Sequence, residues 1–332
     1  MSQIFVEESD VTIGIESNRC VVKGADGIRM EIPIEILEGI TILGRAQITT
    51  QCIQECLKRG ISVSFFSKGG SYFGRLQSTG HVNTERQRKQ CRLYESDFAV
   101  QLARSIVSAK LKNQSVVLRR YEKSRGISVQ ESLKMIRICR AKCLRCEGIS
   151  ELIGYEGQGA KAYFDGLAKL VEPDFYFQGR SKRPPLNAFN SMINLGYFVL
   201  RSELLGQIEA KGLNPYFGFM HRDREKHPTL ASDMMEEWRA VLVDATVMSM
   251  INGHEIHMED FQIDADSGWN LTREGIRRFL GKLNRKLWTE ARYISYVDYE
   301  VSFRQAIALQ LDMLVRAIEA EDASVYKPVV IR

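Results

Sequence analysis

The feature that most constrains the fold of this chain is a change in hydrophobic spacing close to residue 80. Before it, short β-branched or apolar runs are separated by turn residues, which predicts the strands of a meander at residues 11–15, 19–22 and 28–32. Residues 61–66 and 71–76, joined through 67–70, predict a hairpin. Residues 49–59 predict one short helix between the meander and the hairpin. The N-terminal part is therefore β-rich.

After about residue 85 the apolar residues recur at helical spacing. This spacing predicts helical segments at residues 86–123, 128–146, 150–170, 187–211, 229–252, 272–283 and 299–320. The 332 residues are enough for two domains or one large one, and the change near residues 78–81 favours two. The sequence thus predicts an α+β protein, with an N-terminal β-rich, sandwich-like domain over residues 1–80 and a larger all-α domain over residues 85–332.

Positive charge is concentrated in one segment. Residues 86–145 contain 16 Lys and Arg against 4 acids, a net charge of +12, whereas the whole chain carries only +5. Such a run is either a solvated helix face or a surface for a phosphate backbone, and acid-rich metal ligands elsewhere would favour the second interpretation. The Gly- and Pro-containing basic connector at residues 179–185 is open to the same two interpretations.

Several features bear on the compartment. The apolar stretch at residues 192–200 is far shorter than the roughly 20 residues that span a bilayer. The first eight residues lack the positive region and apolar run of a secretory signal. Seven scattered cysteines argue against a disulfide framework and fit a reducing compartment. We expect a cytoplasmic protein with no membrane association.

Three of the cysteines have the spacing of a cluster motif. Cys139, Cys143 and Cys146 match the C-x3-C-x2-C pattern of radical enzymes that bind an iron–sulfur cluster and S-adenosylmethionine. They also recur at helical spacing with apolar neighbours, whereas that motif normally lies in a loop after a strand. Arg145 stands where such enzymes usually have an aromatic residue, so the sequence favours core thiols.

Candidate catalytic residues lie in the helical part. Glu156 is flanked by Gly154 and Gly157, which leaves room for close approach of a ligand or a second backbone. His221 follows an apolar run, and imidazole is a common ligand of divalent transition-type metals. Taken singly, each has an equally plain structural explanation, as a solvent-facing acid or a hydrogen-bonded histidine.

A pair of acids strengthens the case for a metal site. Asp233 and Glu236 are three residues apart and share one face of a helix that begins after Pro228 and Thr229. Carboxylate oxygen and imidazole nitrogen together suit Mg²⁺ or Mn²⁺. A divalent-metal site is therefore a reasonable hypothesis for these residues.

Three ordered blocks in this region resemble the CRISPR-associated integrases and endonucleases of spacer acquisition, the first of the core Cas proteins. The first block is Gly154-Tyr155-Glu156-Gly157 with small residues up to Tyr163, and the second is an Asn-Ala-x-x-Asn helix at residues 187–197. The third comprises residues 217–221 and 229–236. Weaker similarity covers residues 101–120, Phe279 and 326–328, so the resemblance spans most of the chain. It departs from the usual family residues at Gly159, Asn214 and Glu236.

The resemblance implies a function and a set of site residues. It implies a metal-dependent DNA endonuclease and transesterase that inserts short foreign DNA into a CRISPR array, in antiviral defence. Glu156, His221 and Glu236 would be the ligands of Mg²⁺ or Mn²⁺, with Asp233 as a second acid of the same catalytic site. The implied partners are double-stranded DNA (prespacer and CRISPR repeat), a second copy of the chain bound through the β domain, and the small ferredoxin-like second core Cas protein, Cas two.

Two other classes of function compete with this hypothesis. A noncatalytic DNA-binding scaffold would keep the fold without a working metal site, and the four intact polar residues argue against it. The radical enzyme indicated by the cysteines would be brown and iron-loaded after anaerobic purification. The remaining histidines, His81, His227, His254 and His257, lie outside the matching blocks and are expected to be structural or exposed.

Overall fold

The computed structural model describes residues 2–66, 72–76, 78, 80, 82–292 and 294–331. The chain divides into two compact units, Met1–Val82 and Asn83–Arg332. Among the described residues, no helix is long and apolar enough to cross a membrane.

The first unit consists of two four-stranded sheets and one helix. Its elements are β1 (Ser2–Val6), β2 (Thr12–Glu16), β3 (Arg19–Gly24), β4 (Gly27–Pro33), β5 (Leu37–Leu43), β6 (Gln47–Ile48), α1 (Thr50–Arg59), β7 (Ser62–Phe66) and β8 (Tyr72–Leu76). One sheet has the order β4-β3-β2-β6 and the other β1-β5-β7-β8. Side chains from both sheets and from α1 form one buried core, in a sandwich-like arrangement.

The predicted strands are present, but they pair with further strands beyond those of a meander and a hairpin. Strands β2, β3 and β4 form the antiparallel meander, and β7 pairs antiparallel with β8 as the hairpin requires. The hairpin turn, residues 67–70, lies outside the described residues. Strand β5, which was not predicted, pairs in parallel with β1 and β7. Parallel pairing joins segments that are distant in sequence, so local spacing does not reveal it.

The second unit is mostly helical. Its elements are α2 (Thr84–Leu93), α3 (Asp97–Arg125), α4 (Gln130–Cys143), α5 (Ile149–Leu170), α6 (Ala188–Ala210), α7 (Thr229–Met235), α8 (Ala245–Asn252), β9 (Phe261–Asp264), β10 (Gly268–Leu271), α9 (Arg273–Leu287), β11 (Glu290–Ala291), β12 (Val301–Ser302) and α10 (Phe303–Ala320). The chain therefore runs from a strand-rich part to a helical part, as its sequence predicts.

Two predicted helices are broken, and the helical unit also contains short strands. Ser96, with φ −117° and ψ 170°, separates α2 from α3, and its hydroxyl donates a hydrogen bond to the Leu93 carbonyl at 2.8 Å. The segment predicted at residues 229–252 comprises α7, a π-helical turn at Arg239–Asp244, and α8. Short antiparallel pairs, β9 with β10 and β11 with β12, interrupt the helices.

Helices α3, α4 and α5 pack closely together, and two glycines of α5 set how closely. A Cβ at Gly159 would lie 2.5 Å from Cδ2 of Leu111, and one at Gly166 would lie 3.0 Å from Cδ2 of Leu118. A side chain at either position would have to displace a buried leucine of α3. This packing brings the first turns of α5 beside the middle of α3.

Candidate active site

Two glutamates and one histidine from separate elements of the helical unit lie around one point. Glu156 stands near the start of α5, His221 lies in the loop between α6 and α7, and Glu236 follows the last residue of α7. The Nε2 atom of His221 lies 3.8 Å from Oε1 of Glu236. The ammonium of Lys110, on α3, contacts a carboxylate oxygen of both glutamates. The fold thus brings together three of the four residues singled out in the sequence, with the fourth directly behind them.

Lys110 links the two carboxylates from the buried face of α3. Its side chain is only 8% exposed. Its Nζ donates a hydrogen bond to Oε1 of Glu156 and lies 2.6 Å from Oε2 of Glu236. Burial by itself lowers the pKa of this lysine, but the charges of the two glutamates outweigh burial and raise it. The site therefore contains a charged ammonium between two carboxylates.

Glu236 is an ionised acid in a buried position. Its side chain is 5% exposed, and Nε of Arg239 lies 3.4 Å from its Oε2. Burial by itself raises the pKa of Glu236, but the charges of Arg239, Lys110 and His221 together lower it below its usual value. A carboxylate held in its charged form, away from bulk water, is well suited to bind a cation.

Asp233 is completely buried and is engaged by the loop that carries the histidine. Its Oδ2 accepts hydrogen bonds from the backbone N–H groups of Phe219 at 2.6 Å and Met220 at 3.0 Å. Its Oδ1 accepts one from the backbone N–H of His221 at 3.1 Å and lies 2.6 Å from Nδ1 of the ring. The assignment of Asp233 as a metal ligand stays a prediction, and these contacts favour a positioning role.

The same loop depends on Gly218 and on the start of α7. The Gly218 N–H donates to Oγ1 of Thr229 at 2.9 Å, and that hydroxyl donates to the Tyr216 carbonyl at 2.6 Å. A Cβ at Gly218 would lie 2.8 Å from Oδ2 of Asp233. Any side chain there would therefore push the loop away from the carboxylate that anchors it.

The imidazole of His221 is oriented by Asp233. With Nδ1 donating to the aspartate, Nε2 is the nitrogen left for a ligand. Burial lowers the pKa of His221, but the hydrogen bond and charge of Asp233, with the charge of Glu236, outweigh burial and raise it. The hydrogen bond to Asp233 and the charge of Glu236 also make the neutral imidazole a better electron donor to a ligand at Nε2.

The chemistry of these residues fits a hard divalent cation. Two carboxylates and an imidazole nitrogen are donors that Mg²⁺ or Mn²⁺ accepts. Both carboxylates already share one cation, the ammonium of Lys110, which marks a place of negative potential between them. Within the ranges that the structure describes, no three His, Cys, Asp or Glu side chains stand in a preformed metal-ligand arrangement. The assignment of a divalent-metal site therefore rests on the types of donor atom and on the Lys110 ammonium that both carboxylates contact.

Two glycines near Glu156 lie on an open face of α5. A Cβ at Gly154 or at Gly157 would meet nothing within 4 Å. Because residues one or two positions apart do not share a helix face, this open face is not the one that presents Glu156 to Lys110. Close approach of a ligand beside these glycines stays a prediction. Close helix packing is the role of Gly159, further along the same helix.

The connector between α5 and α6 adds basic groups to this region. The guanidinium of Arg180 donates to Oδ1 of Asn190 at 2.6 Å and to Oδ1 of Asn194 at 2.8 Å. Burial lowers the pKa of Lys182, and the charges of Arg239 and Arg180 lower it further. Among the described side chains, no carboxylate contacts Arg180 or Lys182 within 4.0 Å. Lys182, which is exposed, is therefore available to an anionic ligand, whereas the guanidinium of Arg180 is held by Asn190 and Asn194.

Sequence reasoning missed Lys110, Arg180 and Arg239 as site residues. A signal for Lys110 does exist, because it falls at helical spacing among the buried positions Ala103, Val107 and Asn113 of α3. A lysine on the apolar face of a helix needs a buried partner. That partner was not identifiable from α3 alone.

The histidines outside the matching blocks do not join this site. His227 Nε2 lies 3.0 Å from the Ser232 hydroxyl, and burial lowers its pKa. His254 and His257 are exposed and line a separate cavity of about 200 Å³ with Glu172. The fifth histidine, residue 81, lies outside the described residues.

The three clustered cysteines are core residues. Cys139 and Cys143 lie on α4, and Cys146 follows it; all three are buried. Burial raises the pKa of each thiol, that of Cys143 to about 12. A raised pKa favours the thiol over the thiolate that would bind iron.

Comparison with known proteins identifies a family over most of the chain. The sequence model of the family described as "CRISPR associated protein Cas1" matches residues 4–285. A curated relative from Mycobacterium tuberculosis, named "CRISPR-associated endonuclease Cas1", is 39% identical over 322 residues, which are 96% of this chain and 95% of the relative.

Solved structures share the fold. A chain of a "Cas6-RT-Cas1--Cas2 complex" superposes with a TM-score of 0.85 at 24% identity, covering 98% of this chain and 36% of that longer chain. A "Casposase bound to integration product" superposes with a TM-score of 0.82 at 20% identity, covering 98% of this chain and 93% of that one.

Proposed function

This chain belongs to the Cas1 family of CRISPR-associated proteins, and from that premise we propose that it is a metal-dependent DNA endonuclease and integrase. Its reaction is the insertion of short foreign DNA into a CRISPR array during the adaptation stage of antiviral defence. The observation that carries the proposal is the convergence of Glu156, Glu236 and His221 around one shared cation position.

Each site residue has a role that follows from its contacts. Glu156, Glu236 and Nε2 of His221 would hold Mg²⁺ or Mn²⁺. Asp233 positions the imidazole through Nδ1 and fixes the loop through three backbone N–H groups. When bound, the metal supplies Lewis acidity, which lowers the pKa of an attacking hydroxyl or water and neutralises charge on the phosphate.

The reaction is a transfer at phosphorus without a covalent enzyme intermediate. A DNA 3′-hydroxyl, or water in the cutting reaction, attacks a phosphodiester in line, and the opposite oxygen of that phosphodiester leaves. Arg239 and Lys110 place positive charge beside the carboxylates, where charge develops on the phosphate.

The basic segment supplies the DNA-binding surface in this proposal. Of the 16 basic residues between positions 86 and 145, several are exposed on α3 and α4, among them Arg119, Arg120, Lys134 and Arg137. Others are already neutralised, as Arg86 is by Glu319. Binding through the exposed groups would release counterions and depend strongly on salt.

The partners are proposed from the family and its neighbours. The name of one structural neighbour joins Cas1 with Cas2, and another neighbour is a casposase bound to an integration product. We propose that this chain acts on double-stranded DNA, both prespacer and CRISPR repeat, and assembles with a small ferredoxin-like Cas2 partner. We also propose a homodimer formed through the β-rich domain at residues 1–80. Because seven scattered cysteines fit a reducing compartment, we propose that the chain acts in the cytoplasm.

The test is an integration assay with a matched variant. A labelled short duplex with free 3′-hydroxyls is incubated with supercoiled plasmid bearing a CRISPR repeat, with and without Mn²⁺ and with the Cas2 partner. We expect joined products from the wild type only with metal, and a loss of at least about a hundredfold in His221→Ala with DNA binding retained.

The competing hypothesis gives a different result in the same assay. A noncatalytic scaffold binds DNA in a salt-dependent manner but yields no cut or joined product with any divalent metal. That outcome for the wild type would reject the proposed activity.

A further inference from the structure

Lys110 occupies a buried position among the residues proposed to bind the metal. Its side chain, on α3, is only 8% exposed. Burying an unpaired ammonium is costly, so the group is stable there only because Glu156 and Glu236 surround it. Lys110 therefore stays paired with the two glutamates as long as no metal is bound.

The two glutamates are neutralised without any metal. Glu156 and Glu236 carry two negative charges, and Lys110 and Arg239 carry two positive ones. A divalent cation bound by the same carboxylates would add two positive charges next to the ammonium, and like charges repel strongly in a partly buried site. The ammonium therefore competes with a divalent cation for the same oxygens.

We propose that Lys110 is a resident counter-ion that a divalent cation displaces from Glu156 and Glu236, and that the displaced ammonium then pairs with a DNA phosphate. This inference rests on the proposed function and adds a residue to it. Lys110 acts through the carboxylates as a positioning residue before the metal binds. After displacement it becomes a phosphate ligand.

The exchange couples metal binding to DNA binding. Once the carboxylates are occupied, Lys110 and Arg239 have lost their counter-charges, and Lys182 and Arg180 have no carboxylate within 4.0 Å among the described residues. A phosphodiester is the anion that restores the balance in a DNA-processing site. By linkage, DNA must then strengthen metal binding by the same factor as metal strengthens DNA binding.

The first test measures metal affinity in the absence of DNA. Mn²⁺ is titrated calorimetrically into the full-length wild type, into Lys110→Met and into Lys112→Met, a control two residues along the same helix. We expect Lys110→Met to bind Mn²⁺ about tenfold more tightly, since its competitor is gone, and Lys112→Met to match the wild type. Unchanged or weaker binding by Lys110→Met overturns the proposal.

A second measurement covers the case in which Lys110→Met folds poorly. Thermal unfolding of Lys110→Gln is followed in chelator and in Mn²⁺, beside the wild type. The variant leaves Glu156 without its counter-ion and Glu236 with Arg239 alone, so we expect a lower Tm in chelator and a larger gain from Mn²⁺ than in the wild type. An equal gain in both proteins contradicts the exchange.

The third measurement repeats the Mn²⁺ titration with a duplex that has 3′-dideoxy ends and cannot react. We expect DNA to raise the Mn²⁺ affinity of the wild type, and to raise that of Lys110→Met by a clearly smaller factor. The same factor in both proteins rejects the phosphate contact. If His221→Ala loses Mn²⁺ binding while Lys110→Met is unchanged, only this inference fails; if His221→Ala binds Mn²⁺ like the wild type, the proposed metal site fails with it.

Discussion

At the scale of single residues, Asp233 and Glu236 differ in kind although they are three positions apart. Both are acids of one helical stretch, and sequence alone assigns them to one site. Asp233 uses both oxygens on the loop of residues 219–221, whereas Glu236 faces the cations Lys110 and Arg239. One is placed to hold the protein's own backbone and the other to hold a ligand.

This difference predicts unequal losses of stability. In Asp233→Ala two buried backbone N–H groups and one partly buried one lose their acceptor, and each buried group costs about 1–3 kcal/mol. We expect a loss of several kcal/mol in the free energy of unfolding. Glu236→Gln keeps the shape and removes a charge, so its loss should be smaller while activity is abolished. Denaturant unfolding of the two variants tests this, and equal stability in both would contradict the anchoring role.

At the scale of elements, helix α5 uses its glycines for two purposes. Gly159 and Gly166 face α3, where an added Cβ would press on leucine side chains. Gly154 and Gly157 face open space. The helix therefore has a packed face and an open face.

A pair of substitutions separates these purposes. Gly159→Leu should destabilise the protein by about 1–3 kcal/mol or more, because overpacking forces α3 and α5 apart. Gly157→Leu should leave the Tm within a few degrees of the wild type, because its side chain would extend into open space. Thermal unfolding of both variants is the measurement. An equal loss of Tm in both would contradict the assignment of Gly159 to the packed face.

At the scale of the helical unit, the C-terminal segment is tied to the helix residue next to Glu236. The carboxylate of Glu237 accepts hydrogen bonds from the Val329 N–H at 2.7 Å and the Tyr326 hydroxyl at 2.8 Å. Asn113 of α3 donates to the carbonyls of Glu237 and Val329, at 2.8 and 3.0 Å. Residues more than 200 positions apart in sequence thus hold the end of α7 in place.

Glu237 makes this junction sensitive to pH. Burial raises its pKa from 4.5 to about 8, although Val329, Tyr326 and Gln310 act to lower it. Between these values the folded protein keeps a proton that the unfolded chain releases, so stability falls as pH rises through the window. In Glu237→Gln the titrating carboxyl group is gone, and with it this dependence of stability on pH. We expect its Tm to rise relative to the wild type between about pH 5 and about pH 8, and a constant difference would refute the assignment.

The sequence by itself determined the change from strands to helices, most helix positions, and the residues around which the site is built. These are properties of local spacing and of short blocks such as residues 154–157. Parallel pairing of β5, the break at Ser96 and the π-helical turn after Glu236 depended on the tertiary structure. The same holds for the roles of Lys110 and Asp233. The partners of Lys110 lie 46 or more residues away, and those of Asp233 lie on a folded loop. Burial and charge pairing exist only once those segments have packed together.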